Sequence, residues 1–358
     1  MRMDQATLDD PARIAAVDRS GMLQAIAALG GQLGDGFELG RRGPIPSAWA
    51  EQALQGGVVV CGMGGSGIAG DVVGAVLADR VPGPIMVSKG FGLPGFCGPR
   101  TLVVAVSYSG NTEETLAAYD VAGERGCRTV TVSAGGHLAK LADARGSPHV
   151  ELPPDAPMPR AALGYVAGAV LGVVGLAGGP DISAEVAAAA GRVDELAARW
   201  HPGRSTEVNE AKSLADWLAG RTPVIWGSEG LMEPAALRWK NQMNENAKLP
   251  AFWSVLPELD HNEVEGWSGD TAKEFAVVAL RYPGEHPHVA QRFALTMEIA
   301  SSAGLDVREV RAESGGPMTW LFEHILLGDF VSTYLAILRG VDPTPVPVLA
   351  GLKARLRR

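Results

Sequence analysis

The sequence predicts an α/β protein of two domains, each with a mainly parallel β-sheet sandwiched between helices. Short apolar, β-branched runs alternate with helix-compatible segments, and parallel strands need crossover connections of that kind. Both halves open in the same way, with a strand that runs into glycine and then a helix, at Cys61–Gly67 (CGMGGSG) and Trp226–Gly230 (WGSEG). The length of 358 residues exceeds one ordinary domain of about 100 to 200 residues, so two domains are expected.

The first half begins with helical patterns over roughly fifty residues, which end in a loop rich in glycine and proline. Four apolar runs then have the length and β-branched composition of buried strands. These predicted strands lie at residues 57–61, 84–88, 101–106 and 128–132.

The second half repeats this plan, which indicates an approximate duplication. Its predicted strands lie at residues 223–227, 275–281 and 307–310, and its predicted helices near 233–247, 287–303 and 319–339. A loop near residue 180 is the predicted boundary, so the domains are expected at 1–180 and 181–358. From Asp342 onward the sequence predicts a proline-rich turn and a last helix.

The composition of the chain limits which binding partners, cellular location and cysteine chemistry are expected. The formal net charge is −9 and the only basic cluster is the tail Lys353–Arg358, so nucleic-acid binding is not expected. The polar, acidic start has no apolar segment of a secretory signal, which predicts a cytoplasmic protein. Cys61, Cys97 and Cys127 are odd in number and form no CxxC pair, which argues against a disulfide framework or a thiolate zinc site.

One uncharged stretch, residues 161–179, approaches the roughly 20 residues that a membrane-spanning helix needs. Its many glycines and the absence of aromatic anchors at both ends favour a helix buried between layers. No contact with a membrane is therefore expected.

The first glycine loop, Gly62–Gly67, follows a strand, opens a helix and fits the dinucleotide pattern G-x-G-x-x-G. That pattern expects an acidic residue after the next strand, where this chain has Val87–Lys89 (VSK). The loop still suits phosphate, because glycines let a ligand approach the backbone and helix N-terminal amides attract anions. Gly65 and Ser66 are the candidate ligand-binding residues, and a tight turn without a ligand is the alternative.

A second loop after a predicted strand, Val106–Thr115 (VSYSGNTEET), offers three hydroxyl groups at the start of a helix. Ser107, Ser109 and Thr112 can surround a phosphate with neutral donors, together with the helix amides. Serine, asparagine and threonine are also ordinary helix caps, but a cap needs only one such residue. The loop therefore predicts a phosphate site.

These two loops on successive strands resemble those of the sugar isomerase (SIS) domain family. Two such domains in one chain resemble the phosphoglucose isomerase superfamily, in particular its bifunctional phosphoglucose/phosphomannose isomerase branch. The resemblance implies flavodoxin-like three-layer α/β/α domains and a cytoplasmic homodimer. It also implies interconversion of glucose 6-phosphate and mannose 6-phosphate with fructose 6-phosphate through a cis-enediolate, without metal or cofactor.

Such an isomerisation needs a base that moves a proton between C1 and C2, and a positive group that stabilises the enediolate. The segment Pro159–Tyr165 resembles the family's PR-x-A-x-x-Y block, which implies the stabilising role for Arg160. Asn241–Lys248 (NQMNENAK) resembles its NQ-x-NEN-x-K block, which implies that Glu245 is the base. From position alone, each residue could instead be an ordinary solvated or capping side chain.

The segment Leu256–Trp267 resembles the family's PEL-x-HNE-x-x-G block, in which the histidine opens the sugar ring and comes from the other subunit. His261 therefore takes that role across a homodimer interface. The tail resembles a DPTPV…LK pattern, which assigns Lys353 to ring opening or substrate binding and Thr344 to the space around C2. Neither this segment nor the turn His286–His288 has the spacing of a metal-binding helix, so no metal is expected.

Three other functions fit part of the pattern. A non-catalytic SIS module that senses a phosphosugar would keep both loops and would need neither Glu245 nor His261. A nucleotide-dependent oxidoreductase would use the glycine loop but lacks the acidic residue. The aminosugar isomerase half of an amidotransferase would be expected to follow a glutaminase domain with an N-terminal cysteine, which this sequence does not contain.

Overall fold

A computed structural model describes residues 7–49, 54–267 and 270–356 of the chain, and in this part nine strands form two parallel sheets. The first sheet contains β1 (Val58–Cys61), β2 (Ile85–Ser88), β3 (Leu102–Val106), β4 (Arg128–Ser133) and β5 (His149–Glu151), in the order β2-β1-β3-β4-β5. The second contains β6 (Thr222–Ser228), β7 (Phe252–Leu256), β8 (Phe275–Arg281) and β9 (Asp306–Arg311), in the order β7-β6-β8-β9.

The helices follow the strands as crossover connections. In the first half they are α1 (Pro11–Val17), α2 (Met22–Ala27), α3 (Leu29–Arg41), α4 (Gly65–Leu77), α5 (Glu113–Glu124), α6 (Gly136–Arg145) and α7 (Leu163–Leu176). In the second half they are α8 (Ser183–Arg199), α9 (Glu210–Leu218), α10 (Glu233–Glu245), α11 (Glu263–Gly266), α12 (Pro287–Ser302), α13 (Pro317–Leu338) and α14 (Pro347–Leu356). Short 3₁₀ turns include Pro159–Ala162 and Glu258–His261.

The predicted alternation is confirmed, because all seven predicted strands are present with small shifts at their ends. The sequence did not predict β5 or β7. β5 has only three residues and two of them are polar, while β7 is an edge strand whose Phe252 is exposed. Neither segment therefore has the continuous apolar run that identifies a buried parallel strand.

Side chains of each sheet alternate between two faces, which gives the three-layer architecture. In β1, Val58 and Val60 belong to the large core that includes residues of α4 and α7, whereas Val59 and Cys61 pack with Ala118 of α5. The second sheet is built in the same way. Its two faces are covered by α10 and α13 on one side and by α12 on the other.

The two sheets lie on opposite sides of residue 180 in the sequence, yet one hydrophobic core contains residues of both halves. Val170 of α7 and Phe330 of α13 are both fully buried in it. The apolar segments 159–176 and 317–338 are long and apolar enough to cross a membrane by length and composition, and both lie mostly or wholly inside the protein. The boundary at residue 180 stays a prediction, because the shared core does not mark a division there.

Candidate active site

The first predicted phosphate loop lies against the predicted catalytic arginine. Gly65 begins α4, and a Cβ atom built on it would lie 3.3 Å from the Cα atom of Arg160. Ser66 follows in the first turn of α4 and is buried. The structure therefore brings the loop after β1 next to the turn Pro159–Ala162, although the two are almost 100 residues apart.

The second loop brings two of its three predicted hydroxyl groups together. The Oγ atom of Ser107 and the Oγ1 atom of Thr112 are 2.9 Å apart. Thr112 occupies the N-cap position of α5, but its side chain makes no capping hydrogen bond with the first turn. Ser109 is exposed, and its Oγ atom accepts a hydrogen bond from the Asn111 amide at 3.3 Å. This geometry leaves the start of α5 able to donate to an anion.

The shape of this second loop depends on the start of α6, which the sequence reasoning missed. Gly110 has φ of +68°, and a Cβ atom there would lie 1.8 Å from the carbonyl oxygen of Gly135. The Gly110 carbonyl accepts from the Leu138 amide at 2.9 Å, and the Asn111 side chain accepts from the His137 amide at 3.1 Å. A glycine pair directly after β4 was the signal in the sequence.

Arg160 and Glu245 form an ion pair at the boundary between the two sheets. The Nη1 atom of Arg160 lies 3.5 Å from the Oε2 atom of Glu245, which is the last residue of α10. The Arg160 side chain is 4% exposed and that of Glu245 is 28% exposed. Burial lowers the pKa of Arg160, and the Glu245 carboxylate partly opposes this effect. The pair therefore places a cation and a partly accessible carboxylate side by side.

The other nitrogen atoms of Arg160 hold the guanidinium in place. Its Nε atom donates to the Oδ1 atom of Asn246 at 2.8 Å, and its Nη2 atom donates to the carbonyl oxygens of Pro343 at 2.7 Å and Thr344 at 2.8 Å. The buried Nη1 atom has no hydrogen-bond partner among the described residues. The same is true of the buried hydroxyl of Thr344. The unpaired Nη1 atom lies close to Glu245, where a substrate oxygen could satisfy it.

A buried carboxylate on α13 supports this arrangement. Asp329 accepts two hydrogen bonds from Arg238 of α10, at 2.9 and 2.6 Å, and one from Gln242 at 2.9 Å. Arg238 also donates to the backbone carbonyl of Arg160 at 2.9 Å. Burial raises the pKa of Asp329, while Arg238 acts in the opposite direction. The sequence reasoning missed this network, although a carboxylate in an apolar helix needs a buried partner.

His261 and Lys353 are not brought to Arg160 and Glu245 within one chain. His261 is exposed in the turn Glu258–His261, and Lys353 is exposed on α14, a helix with no buried residue. Neither side chain makes a hydrogen bond or an ion pair with another described residue. Their assigned roles stay predictions.

The loop that carries His261 is itself firmly anchored on both sides. Asp260 accepts from Thr296 at 2.6 Å and from Arg292 at 3.0 Å, which fixes it to α12. Glu263 accepts from the indole of Trp226 at 2.8 Å and also contacts the Ser254 hydroxyl. Cavities of about 520 and 510 Å³ lie beside this loop. Among the described residues, no group of three or more His, Cys, Asp and Glu is arranged to hold a metal ion.

Comparisons with known proteins identify relatives that match most of the chain. The family model for the bacterial phospho-glucose isomerase C-terminal SIS domain matches residues 207–356. A bifunctional phosphoglucose/phosphomannose isomerase from Caldicellulosiruptor bescii is 33% identical over 345 residues, which cover 94% of this chain and 98% of that protein. A D-glucosamine-6-phosphate 4-epimerase from Sulfolobus acidocaldarius is 32% identical over 61% of this chain and 66% of its own length.

A solved structure extends the comparison to the fold. The glucose-6-phosphate isomerase-like protein from Thermus thermophilus matches with a TM-score of 0.64 at 22% identity, over 96% of this chain and 99% of that one. The architecture is thus that of the tandem SIS-domain proteins, and the predicted fold class is confirmed.

Identity over nearly the whole length then places the chain in a particular group. It belongs to the bifunctional phosphoglucose/phosphomannose isomerase family. This membership confirms the predicted enzyme class, a sugar-phosphate isomerase, and disfavours a non-catalytic sensor.

Proposed function

We propose that this protein interconverts glucose 6-phosphate and mannose 6-phosphate with fructose 6-phosphate through a shared cis-enediolate. The observation that carries the proposal is the pair Arg160 and Glu245, in which a buried guanidinium keeps its Nη1 atom unpaired 3.5 Å from a carboxylate. A base and an unsatisfied cation at this separation suit the removal of a proton next to a carbonyl group. Family membership supports the same reaction.

The chemistry assigns each group one task. Glu245 takes a proton from C1 of fructose 6-phosphate and delivers a proton to C2, while O1 loses its hydroxyl proton and O2 gains one, which yields an aldose. The negative charge on the enediolate oxygens is stabilised by the unpaired Nη1 atom of Arg160. Because the guanidinium is fixed by Asn246 and two tail carbonyls, it needs no reorganisation as this charge develops.

The substrate phosphate is assigned to the loop after β3. The paired hydroxyls of Ser107 and Thr112 supply neutral donors, and the start of α5 adds amide donors. The loop after β1, with Gly65 and Ser66, lies against Arg160 and is assigned to the sugar between the phosphate and C1. Thr344 contacts Arg160 through its backbone carbonyl and keeps an unpaired hydroxyl, which supports its assignment to the C2 side of the substrate.

A homodimer completes the site in this proposal. His261 is exposed on an anchored loop, and the neighbouring helix α12 exposes Leu295 and Ile299, each at 52%. A second subunit that covers this surface would bury the apolar side chains and deliver His261 to the Arg160–Glu245 pair of its partner. There the imidazole would move a proton between O5 and the anomeric hydroxyl, which is O1 in the aldoses and O2 in fructose 6-phosphate, during ring opening. A cytoplasmic location remains part of the proposal.

The test starts from fructose 6-phosphate in deuterated water and quantifies both aldose products by NMR. We expect glucose 6-phosphate and mannose 6-phosphate to appear together, each with some solvent deuterium at C2, because the proton that Glu245 takes from C1 can exchange with solvent before C2 is protonated. Inclusion of glucosamine 6-phosphate as a separate substrate tests the reaction named for the Sulfolobus relative. A change at C4 of that sugar, without any aldose from fructose 6-phosphate, would show that the proposed reaction is wrong.

A further inference from the structure

Lys248 lies three residues after the proposed base and joins two segments of the site. Its Nζ atom donates to the carbonyl oxygen of Glu245 at 2.6 Å and to that of Pro343 at 3.0 Å. A third, longer contact of 3.3 Å reaches the carbonyl of Asn246. One ammonium group therefore connects the C-terminal end of α10 to the tail segment that carries Thr344.

We propose that Lys248 is a positioning residue that fixes the distance between the base Glu245 and the tail residue Thr344. This inference rests on the proposed function and adds a residue to its site. Lys248 contacts only backbone carbonyls, so it acts through the two segments and not on the substrate. It shares the Pro343 carbonyl with Arg160, whose Nη2 atom donates to the same oxygen at 2.7 Å.

The backbone at Lys248 supports a role for its side chain. Among the described residues, Lys248 is the one non-glycine residue with positive φ, at +53°. The left-handed conformation is unfavourable for residues with a Cβ atom, and glycine or asparagine usually occupies it at the end of a helix. Here it occurs three residues after the end of α10 and turns the lysine back to the last helical carbonyl, where a cation interacts favourably with the helix dipole.

The side chain of Lys248 loses its charge in a pH range that activity assays can reach. Arg160, Glu245 and Asp342 are the charged groups that act on it from the surrounding segments. Burial, and secondarily Arg160, lower the pKa of Lys248 from its ordinary 10.5 to about 8. The ammonium is therefore complete below about pH 8, and above it the folded protein loses both a charge and a donor.

Loss of this charge affects activity and stability in opposite directions. Between about pH 8 and 10.5 the unfolded state binds more protons at Lys248 than the folded state, so this group makes the free energy of unfolding rise with pH. A decrease in activity over the same range would therefore not be explained by unfolding through Lys248.

The experiment compares Lys248→Met and Lys248→Arg with the wild type. For Lys248→Met we expect kcat from fructose 6-phosphate to fall about 10- to 100-fold, because small misplacements of reacting groups have effects of this size. KM should change less, because the phosphate loop is not touched, and the ratio of mannose to glucose product should shift. Lys248→Arg should keep most of the activity, and its alkaline decrease should move above the wild-type one.

Lys212→Met is the matched control. Lys212 is fully buried, whereas Lys248 is partly buried, and it likewise donates to backbone carbonyls, those of Pro202 at 2.7 Å and Arg204 at 2.6 Å, in a loop that carries none of the proposed site residues. This variant should lose stability but keep kcat, product ratio and pH profile. The control thus separates a general structural effect of a buried lysine from a positioning effect.

Three outcomes would overturn the inference. They are a Lys248→Met enzyme with wild-type kcat and product ratio, a control that loses kcat as much as Lys248→Met, and an unchanged alkaline decrease in Lys248→Arg. The last measurement also decides the case if Lys248→Met does not fold. An inactive wild type would instead refute the proposed function itself, so the two failures are distinguishable.

Discussion

At the scale of single residues, Arg160 shows how a buried charge can be both held and kept reactive. Its guanidinium carries five N–H groups, and the structure uses those of Nε and Nη2 for Asn246 and for two tail carbonyls. The hydrogens of Nη1 are left without an acceptor near Glu245. Leaving a buried donor unpaired costs about 1 to 3 kcal/mol, which is tolerated at a binding site where a ligand can repay it.

The first prediction concerns the base. Glu245→Gln should reduce both aldose-forming reactions together by about 10²- to 10⁴-fold, because a single carboxylate moves the proton in each. Steady-state assays from fructose 6-phosphate, with both products quantified, provide the measurement. Glu233→Gln, at the opposite end of the same helix, is the control and should leave both rates unchanged. If only glucose 6-phosphate formation were lost, two separate bases would be at work.

The sequence alone predicted only some of the residues of the candidate site. Arg160, Glu245 and Thr344 were predicted from short blocks, and the structure places them around one guanidinium. Asn246 and Lys248 lie in the block Asn241–Lys248, which resembles a family motif. Their roles nevertheless depend on contacts with the tail and α13. No spacing in the sequence reveals which carbonyl an ammonium reaches.

At the scale of elements, the loop after β3 is a self-contained unit. Its hydroxyl pair, its exposed helix start and its glycine all lie within nine residues, which is why the sequence predicted it. Its close contact with the glycine pair before α6 is a tertiary feature. The loop's own sequence therefore supplies its donor groups, and its contact with the glycine pair fixes its shape.

The second prediction tests this loop. Ser107→Ala combined with Thr112→Ala should raise the Kd for fructose 6-phosphate about 10-fold or more, because each hydrogen bond to a charged group contributes about 1.5 to 3 kcal/mol. Isothermal titration with the sugar phosphate measures this. The control is Thr129→Ala with Ser147→Ala, another hydroxyl pair, 3.2 Å apart at the start of β4. Equal affinity of the site variant and the wild type would contradict the assignment.

The third prediction concerns α13, which lies in the core of the protein. His324 on this helix is fully buried, its Nε2–H donates to the carbonyl of Arg281 at 2.8 Å, and its Nδ1 atom has no partner among the described residues. Burial lowers the pKa of His324 from 6.5 to about 4. The unfolded state therefore binds more protons between pH 4 and 6.5, so stability is lost as the pH falls through this range.

His324→Gln removes this titration and keeps a hydrogen-bond donor. The free energy of unfolding of the wild type should decrease by about 3 kcal/mol more than that of the variant between pH 6.5 and pH 4, as measured by urea unfolding. His201→Gln, at an exposed histidine, is the control and should retain the wild-type dependence. Parallel curves for wild type and His324→Gln would show that His324 does not set this dependence.

At the scale of the whole molecule, the two sheets share one core and one site. Arg160 precedes α7 of the first half, whereas Glu245 ends α10 and Thr344 lies in the tail of the second half. A buried ion pair between Arg238 and Asp329, both 3% exposed, links α10 to α13 beneath the site. Breaking such a pair typically costs about 3 to 5 kcal/mol. Because Arg238 also donates to the Arg160 carbonyl and one core contains residues of both halves, the two halves are expected to unfold together.

The fourth prediction tests the proposed homodimer. Glu245→Gln and His261→Ala should each be nearly inactive alone, and a mixture refolded together should recover about a quarter of the wild-type activity. Half of the dimers would be mixed, and each mixed dimer would contain one intact site with Glu245 from one subunit and His261 from the other. Refolding each variant separately before mixing is the control. Absence of recovery in the co-refolded sample would place both residues in the same subunit.

The sequence by itself determined the alternating α/β plan, the two loops that are predicted to bind the substrate, and the blocks around Arg160, Glu245 and His261. These features are local, because strand periodicity, glycine loops and short motifs are all encoded within about ten residues. Only the tertiary structure decided that one core joins both halves, that Asp329 supports Arg160 through Arg238, and that Lys248 reaches the tail. Such contacts join segments that are distant in the chain. They are selected by side-chain packing, which no local sequence pattern encodes.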